Sequence, residues 1–518
     1  MQAQAAGAES LVAWARLAAQ RDDNASAATL WAHALERAPA RRAEWLREYA
    51  DQLTYSGSPT AAVAIYREAL ARPHTTVEEE RRTQLGLALA LSWAGEFDLS
   101  LDAYETWLQE FPYDLTAQNG RARVLSWMNE NAAAERAYDR IVRQQPSNLE
   151  AQRNFARVQS WRSRHRAATR RLGRHVHLYP DDAEAAYLLA QSQLWLGRPD
   201  RATRTLEGLL ARHPNDVPAM RLRAELREQI RPSTDMRYAE SHQSDDLTIR
   251  SIRVASDWSA HAGLTTLGPR FFVQHYDAES GAGITTSGIG AYGRHRFQDA
   301  LEWTTWLSVD RLGADAASHA RVTYDTYVTL WPHDALRFDF GSNRTTFDNI
   351  RSLRRNIVAT YANVGVDVLP NELWRLVTRF NWGDYSDGNQ RTWAQFVVER
   401  RLRTHPCVIT GLTSTAFRFT ELLDSGYFNP RKYVANGVTL RSYNVSGRRL
   451  RFDLAGMAGA EHASPADQHF IWSVGAELGI AIVGHSALRL HANHYSSATA
   501  SSSGFARSSF GIAWHAPL

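Results

Sequence analysis

His491, His494, Ser496 and Ser497 cluster near the C-terminus, and they are residue types from which a hydrolase assembles a nucleophile and its base. Residue type is all that carries this reading, because no Gly-x-Ser-x-Gly elbow occurs in a strand-turn-helix setting. No His, Cys, Asp or Glu spacing suggests a metal site, and a single cysteine, Cys407, excludes an internal disulfide framework and a Cys-based zinc centre. Cys407 reads as one small residue in a strand. The expectation is no catalytic set, no metal and no cofactor, with a lipid hydrolase kept as an alternative.

A second chemistry is spread along the last 284 residues. Arg253, Asp257, Glu302, Asp310, Arg321, Asp325, Arg337, Asp339, Arg375, Arg379, Glu399, Arg451, Asp453, Glu477 and Arg489 alternate with apolar neighbours. A period of two puts them on one face of β-strands. So many charges are costly to bury in a dry core, but in a wide barrel they line water. Acids and arginines roughly balance in this set, which favours a near-neutral solute over a strongly charged one. Tyr427, Phe428, Asn429, Pro430 and Tyr433 form an aromatic group around a step that favours extended backbone. They read as a polymer contact or loop latch, or equally as a structural anchor.

These residues need strands to position them. Leu336, Phe338 and Phe340 alternate with Arg337 and Asp339, and Trp472, Val474 and Leu478 with Ser473 and Glu477. Sixteen such segments run from 235 to 515. Tight connections, as at Phe297-Gln-Asp299 and Pro332-His-Asp334, alternate with longer ones such as Asp277–Gly283, Ser342–Arg355, Asp384–Arg391, Glu421–Arg431 and Glu461–Asp467. Short turns at one end and long loops at the other are the build of an outer-membrane barrel. Trp303, Trp374, Trp382, Trp472 and Trp514 lie toward strand ends on the apolar face, where indoles suit the lipid headgroup zone.

The chain before these strands has a different period. Trp93, Trp127, Trp161 and Trp195 are 34 residues apart, as are Pro112, Pro146, Pro180 and Pro214. Ala88, Ala122, Ala156 and Ala190 make a third row, and Tyr104, Tyr138, Leu172 and Leu206 a fourth; Pro39 and Pro73 extend the pattern backward. That period is the tetratricopeptide pattern of paired helices. Six repeats over 8–216 and a capping helix near Val217–Ile230 are expected. The Trp row reads as core packing. Thirteen arginines against four acids between Arg121 and Arg174 make a solvated face or a docking surface for an acidic partner, with Arg162, Arg164, Arg166, Arg170 and Arg171 as partner-binding candidates.

The fold class is α+β multidomain, an all-α tetratricopeptide solenoid followed by a 16-stranded antiparallel transmembrane β-barrel. The expected boundaries are a residual segment at 1–7, the solenoid at 8–230, a linker at 231–234 and the barrel at 235–518. The first residues, Met1-Gln-Ala-Gln-Ala-Ala-Gly-Ala8, have no charged or apolar signal region and read as a mature end whose export signal has been removed. The longest apolar stretch, Leu85–Leu91, is far short of a membrane-spanning helix. With 59 basic and 55 acidic side chains the formal charge is +4, too small to imply nucleic acid as a partner.

Repeats leading into a sixteen-stranded barrel resemble the outer-membrane exporters of bacterial exopolysaccharides: the cellulose synthase operon C protein, the poly-N-acetylglucosamine export porin and YaiO-type proteins. Ala88-Leu-Ala-Leu-Ser-Trp-Ala-Gly95 and Ala122-Arg-Val-Leu-Ser-Trp127 look like their repeat phrases. Gly426-Tyr427-Phe428-Asn429-Pro430-Arg431-Lys432-Tyr433 is similar to a Gly-Tyr-Phe-Ser-Pro-Gln segment of the cellulose exporter, with Asn429 for Ser and Arg431 for Gln. The resemblance implies a non-enzymatic porin in the Gram-negative outer membrane that secretes a cellulose-like or related glycan for biofilm. Its partners would be the polysaccharide chain, outer-membrane lipid, and glycan synthases or modifying proteins recruited by a periplasmic solenoid. The alternatives are a non-exporting scaffold or adhesin with a plugged barrel, and the lipid hydrolase.

Overall fold

The computed structural model describes residues 2–72, 76–278, 281, 283–313, 319–444, 449–464, 468–482, 486–496 and 506–518; Pro73, Asp467 and Ser497 lie outside the described residues. The chain divides into two compact units, Met1–Arg162 with Arg170–Leu178, and Ser163–Thr169 with Tyr179–Leu518.

Helices in the first part of the chain are α1 (Gln2–Gln20), α2 (Asn24–Arg37), α3 (Arg42–Tyr55), α4 (Pro59–Leu70), α5 (Val77–Trp93), α6 (Phe97–Glu110), α7 (Leu115–Trp127), α8 (Asn131–Gln144), α9 (Leu149–Trp161) and α10 (His165–Leu178). Then come α11 (Ala183–Trp195), α12 (Pro199–Arg212) and α13 (Val217–Gln229). Six pairs and a final helix match the repeat period, but α1 starts at Gln2, so 2–7 is helix and not a separate segment. The Pro row stands two residues past the ends of α6, α8, α10 and α12, where its missing N–H interrupts no helical bond.

A further 34-residue row sets each helix start. Asp114, Asn148, Asp182 and Asp216 are N-caps, accepting backbone N–H bonds from Ala117 (3.2 Å), Ala151 (3.0 Å), Ala185 (3.0 Å) and Ala219 (2.8 Å); each cap is worth about 1 kcal/mol. Burial works against the Asp114 carboxylate, yet bonds from Arg81, Trp107 and the Ala117 amide hold its pKa below the usual range. The helix-to-helix turns share one requirement at that same interval: Gly95, Asn129, Ser163 and Gly197 all have positive φ, from 60° to 86°. Glycine meets it without strain and Asn with little, whereas Ser163 occupies it at some cost.

The Ala row is 0% exposed at Ala88, Ala122, Ala156 and Ala190, and the Tyr/Leu row is at most 3% exposed at Tyr104, Tyr138, Leu172 and Leu206. Small residues let helices approach closely, and the larger ones fill the space between them. The Trp row does the opposite of what its spacing suggests. Trp93, Trp127, Trp161 and Trp195 are 39–47% exposed. Each is the last residue of its helix, beyond the groove in which core residues interlock.

The barrel strands are β1 (Ser233–Gln243), β2 (Leu247–Ala260), β3 (Thr265–Ala278), β4 (Gly283–Gln298), β5 (Leu301–Gly313), β6 (His319–His333), β7 (Leu336–Thr346) and β8 (Val358–Val368). They continue as β9 (Trp374–Tyr385), β10 (Gln390–Thr404), β11 (Cys407–Phe419), β12 (Lys432–Tyr443), β13 (Leu450–Ser464), β14 (Gln468–Ala481), β15 (Ala487–Ser496) and β16 (Ala506–Pro517). Each pairs antiparallel with its sequence neighbours, and β1 pairs with β16 from Ser233↔Pro517 to Gln243↔Arg507, closing the barrel. Because β1 begins at Ser233, the expected linker is only two residues long. Cys407 is buried at the start of β11.

The loop asymmetry is narrower than the sequence suggests. β13 extends to Ser464 and β9–β10 need only 386–389, so long described connections remain at 347–357 and 420–431. The first holds a short helix, α14 (Ile350–Arg354), capped by Asn349.

Within the second unit, turns of the barrel grip the helices that precede it. The Asp299 carboxylate takes bonds from Arg198 (2.6 Å) and Arg201 (3.0 Å), and its carbonyl takes one from Arg166 (2.8 Å). Asp334 accepts the Arg166 backbone N–H at 3.0 Å. Hydrogen bonds from Arg198 to Asp200 and then Asp299 raise the Arg198 pKa further, fixing its charge.

Candidate functional site

Alternation sorts every strand into an outward and an inward set. Outward residues such as Ile252, Phe271, Ile289, Leu307, Phe340, Phe380, Leu412, Val438 and Val474 are 44–61% exposed, an apolar band that water penalises and hydrocarbon does not. Trp303, Trp374, Trp382, Trp472 and Trp514 face outward too, at 38–47% exposure.

All fifteen charged residues expected in the lumen lie on the inward register, but they are not arranged alike. From β7 to β10 they are paired. Asp339 meets Arg337 at 2.9 Å and Arg379 at 3.6 Å, Arg379 contacts Asp367, and Arg375 bridges Asp367 (2.8 Å) and Glu399 (3.1 Å). Six charges therefore alternate in sign along one chain. Asp367, which the sequence reading omitted although it alternates with Val366 and Val368, is the buried centre of it at 3% exposure. Asp257 pairs with Arg270 at 2.5 Å, Glu302 with Arg296 at 3.5 Å, and Asp453 with Arg441. Arg253, Arg451 and Arg489 make no ion pair among the described residues. The charge balance expected from composition is thus a balance of number and not of place, and it no longer argues for a neutral polymer.

The long connections fold into the loop end of the lumen. Leu353 of α14 is fully buried against Leu247, Ile249, Tyr276, Ile284 and Leu312, inward residues of β2 to β5. Just before it, Asp348 accepts from Tyr276 (3.2 Å) and pairs with Arg507 of β16 (3.2 Å). On its other side α14 meets the 420–431 connection: Ser352 donates to the Ser425 carbonyl at 2.7 Å, and Arg351 pairs with Asp424. Gly426 has φ +92°, and a Cβ there would sit 2.6 Å from Asn349, so only glycine passes this close.

Tyr427 fastens the junction. Its ring stacks on Phe347 (4.8 Å) and packs with Tyr385 (5.0 Å) and Phe419 (5.8 Å). Its hydroxyl donates to Asp387 at 3.0 Å and takes a bond from Asn389 at 3.1 Å. Burial raises the Tyr427 pKa, so the hydroxyl remains a donor. Phe428 packs edge-on against Phe417 and Tyr433, the Asn429 amide donates to the Leu423 carbonyl at 2.7 Å, and the Pro430 carbonyl accepts from Phe419 at 3.3 Å. Tyr433 belongs to β12 and not to the loop, and donates to Glu461 at 2.6 Å. Tyr427 is 6% and Tyr433 2% exposed, so both rings are packed between the 420–431 connection and the barrel wall. The short helix escaped sequence reading; Ile350 and Leu353 amid Arg351, Arg354 and Arg355 were its signal.

Two other expectations change. His491 faces Glu477 on the inward register, whereas His494 points outward, stacked on Trp472 at 4.6 Å. Ser496 shares the outward register with His494, so His491 stands on the opposite face from both. In the solenoid, Arg162 pairs with Glu135, Arg166 serves the barrel turns, and Arg171 covers Phe155 at 3.9 Å and bonds Gln152 at 2.7 Å. Arg164 is engaged as well, leaving Arg170 exposed without an ion pair among the described residues. The cluster is mostly internal, because solenoid helices bond across repeats.

Residues 162–226 match the tetratricopeptide repeat family model. None of the curated proteins matches the sequence. Among solved structures, the chain is similar to a bacterial polysaccharide outer membrane secretin at 13% identity, covering 55% of this chain and 98% of that one with a TM-score of 0.44. It is also similar to a tetratricopeptide repeat protein from Parabacteroides merdae ATCC 43184, at 20% identity over 42% of this chain and 85% of that one, TM-score 0.36. The chain joins tetratricopeptide-like helices to a closed sixteen-stranded antiparallel barrel.

Proposed function

We propose that the protein is a latched outer-membrane conduit for an exopolysaccharide, with the solenoid on the periplasmic side recruiting the enzymes that make or modify the chain. The observation that carries this reading is a closed barrel with an apolar exterior and a charged, water-facing interior, whose loop end is crossed by α14 and held by Tyr427. Sixteen strands enclose a lumen wide enough for an aqueous path. A glycan needs such a path, since its hydroxyls cannot cross hydrocarbon unbonded.

The same latch supports a second reading, a non-exporting scaffold whose barrel is permanently plugged. Planar-bilayer conductance of the full chain separates them. Wild type is expected to stay mainly closed, and Tyr427→Ala with Phe347→Ala, or replacement of residues 349–355 by a Gly-Ser link, is expected to give large open steps. A barrel that stays silent after both changes overturns the conduit.

A further inference from the structure

Following the hydrogen-bonded register from strand to strand exposes a line of charge on the inner wall. Arg451 lies opposite Gly479, which lies opposite Arg489, and Arg489 opposite Ala513. Ala513 faces Arg237, and Arg237 faces Arg253. Phe272 and Gly288 carry the line on to Asp310 and Arg321. Five arginines and one aspartate thus occupy a single row across ten strands, about 43 Å of wall at the usual strand spacing.

Asp310 is the one acid in the row, and none of the five arginines makes an ion pair among the described residues. Arg237, Arg253, Arg451 and Arg489 are exposed to the lumen. Arg237 and Arg253 are direct cross-strand neighbours, an arrangement that destabilises a sheet. Arg321 is 7% exposed, and its Nε and Nη1 have no hydrogen-bond partner. Asp310, across from it, gives one oxygen to Ser308 and the other to Thr323 (2.7 Å). The middle of the row faces a cavity of ≈690 Å³, within the range that holds a small ligand. Of the acids that share this cavity, Asp257 pairs with Arg270 at 2.5 Å and Asp348 with Arg507 at 3.2 Å, while Asp235 lies 3.2 Å from the His515 ring and Asp310 is held by hydroxyls. Gly479 and Ala513 set only small residues between Arg451, Arg489 and Arg237, whereas the Phe272 ring and the Asp310 carboxylate lie over Gly288.

Repulsion is retained along this line, beside a wall where charges are matched, and an anion entering the lumen would relieve it. We infer that the row is a binding track for an anionic glycan, one bearing carboxylate or acidic ester groups along its length. This rests on the conduit reading and names its substrate class. Guanidinium forks match such groups in geometry, and in an aqueous lumen each contact is weak enough for a chain to step along.

The test uses the full chain in detergent and a fluorescent decamer of oligogalacturonate, with sulfated dextran and neutral dextran of equal length as comparisons. It is run in wild type and in a Tyr427→Ala background, so that a closed mouth cannot hide the track. The carboxylated decamer is expected to bind at least about tenfold more tightly than neutral dextran, and Arg237→Gln with Arg253→Gln to remove about tenfold. Salt should weaken the binding. Arg311→Gln, on the outer face, should leave it unchanged. Tighter binding of sulfated dextran would assign acidic esters over carboxylates. If the double variant does not fold, Arg489→Gln, alone and exposed, is expected to weaken binding about threefold. Equal affinity for neutral dextran, or anion-selective conductance without polyanion binding, overturns the inference while leaving the conduit standing. Silence in the conductance experiment removes the conduit itself.

Discussion

Two stretches of the same inner wall hold their charges in opposite ways. From β7 to β10, Arg337, Asp339, Arg379, Asp367, Arg375 and Glu399 form one chain of alternating sign. From β13 through the closure to β6, Arg451, Arg489, Arg237, Arg253 and Arg321 share a row with Asp310 alone. Composition hides the difference, since the lumen set is nearly balanced. Matched charges support the wall that carries them, whereas unmatched ones weaken it and act on whatever enters. One stretch is scaffold and the other is addressed to a ligand.

The largest expected effect breaks the matched stretch. Asp367 is 3% exposed and serves both Arg375 and Arg379, so Asp367→Ala leaves two guanidiniums without their shared partner. Arg375 and Arg379 are 44% and 28% exposed and keep Glu399 and Asp339, so the cost is about 1–2 kcal/mol, below that of a fully buried pair, seen as weakening of the heat-modifiable folded band on unboiled gels. Arg253→Ala should cost under about 1 kcal/mol or be neutral, because it also removes a like-charge contact. Equal losses at both sites would erase the distinction.

How much of this could be read from the residues follows from what each pattern encodes. Alternation at Leu336, Phe338 and Phe340 shows that Arg337 and Asp339 share a face, and the sixteen expected strands all form. It does not show which residues meet across strands. That is set by turn length and by bulges such as the one between Arg296 and Gln298, so the row from Arg451 to Arg321 appears only with the register. The Trp period marked the repeats, but a period gives position and not direction, and a residue that ends a helix can point past the core. Asp367 was legible and missed, lying in a run of valines. The latch was half legible: Tyr427 stood out, while its partner Phe347 and α14 lay in a connection read as loop.

A charge reversal sharpens the comparison with a smaller effect of opposite sign. Arg253→Glu converts the Arg237–Arg253 contact into an opposite-charge pair. Relief of repulsion should stabilise the barrel by about 0.5–1 kcal/mol at low salt, raising the melting midpoint by a few degrees or less. The gain should vanish in high salt. A lower midpoint at low salt would mean that the row is already compensated within the folded chain.

The smallest effect comes from the pair that borders the unmatched row. Arg441 holds Asp453 with both nitrogens of its fork, and the two side chains are 54% and 33% exposed, so Arg441→Gln should change stability by about 0.5 kcal/mol or less. Its consequence for the lumen should be easier to detect. Asp453 stands two residues from Arg451 on the same inward face; once released, it places a free carboxylate at the start of the row. Polyanion binding should then fall by about twofold, with neutral dextran unaffected. A drop in stability without a change in binding would make Arg441 part of the scaffold. A drop in binding at constant stability would show that this pair keeps a carboxylate away from the arginines, extending the ligand-facing stretch from β13 into β12.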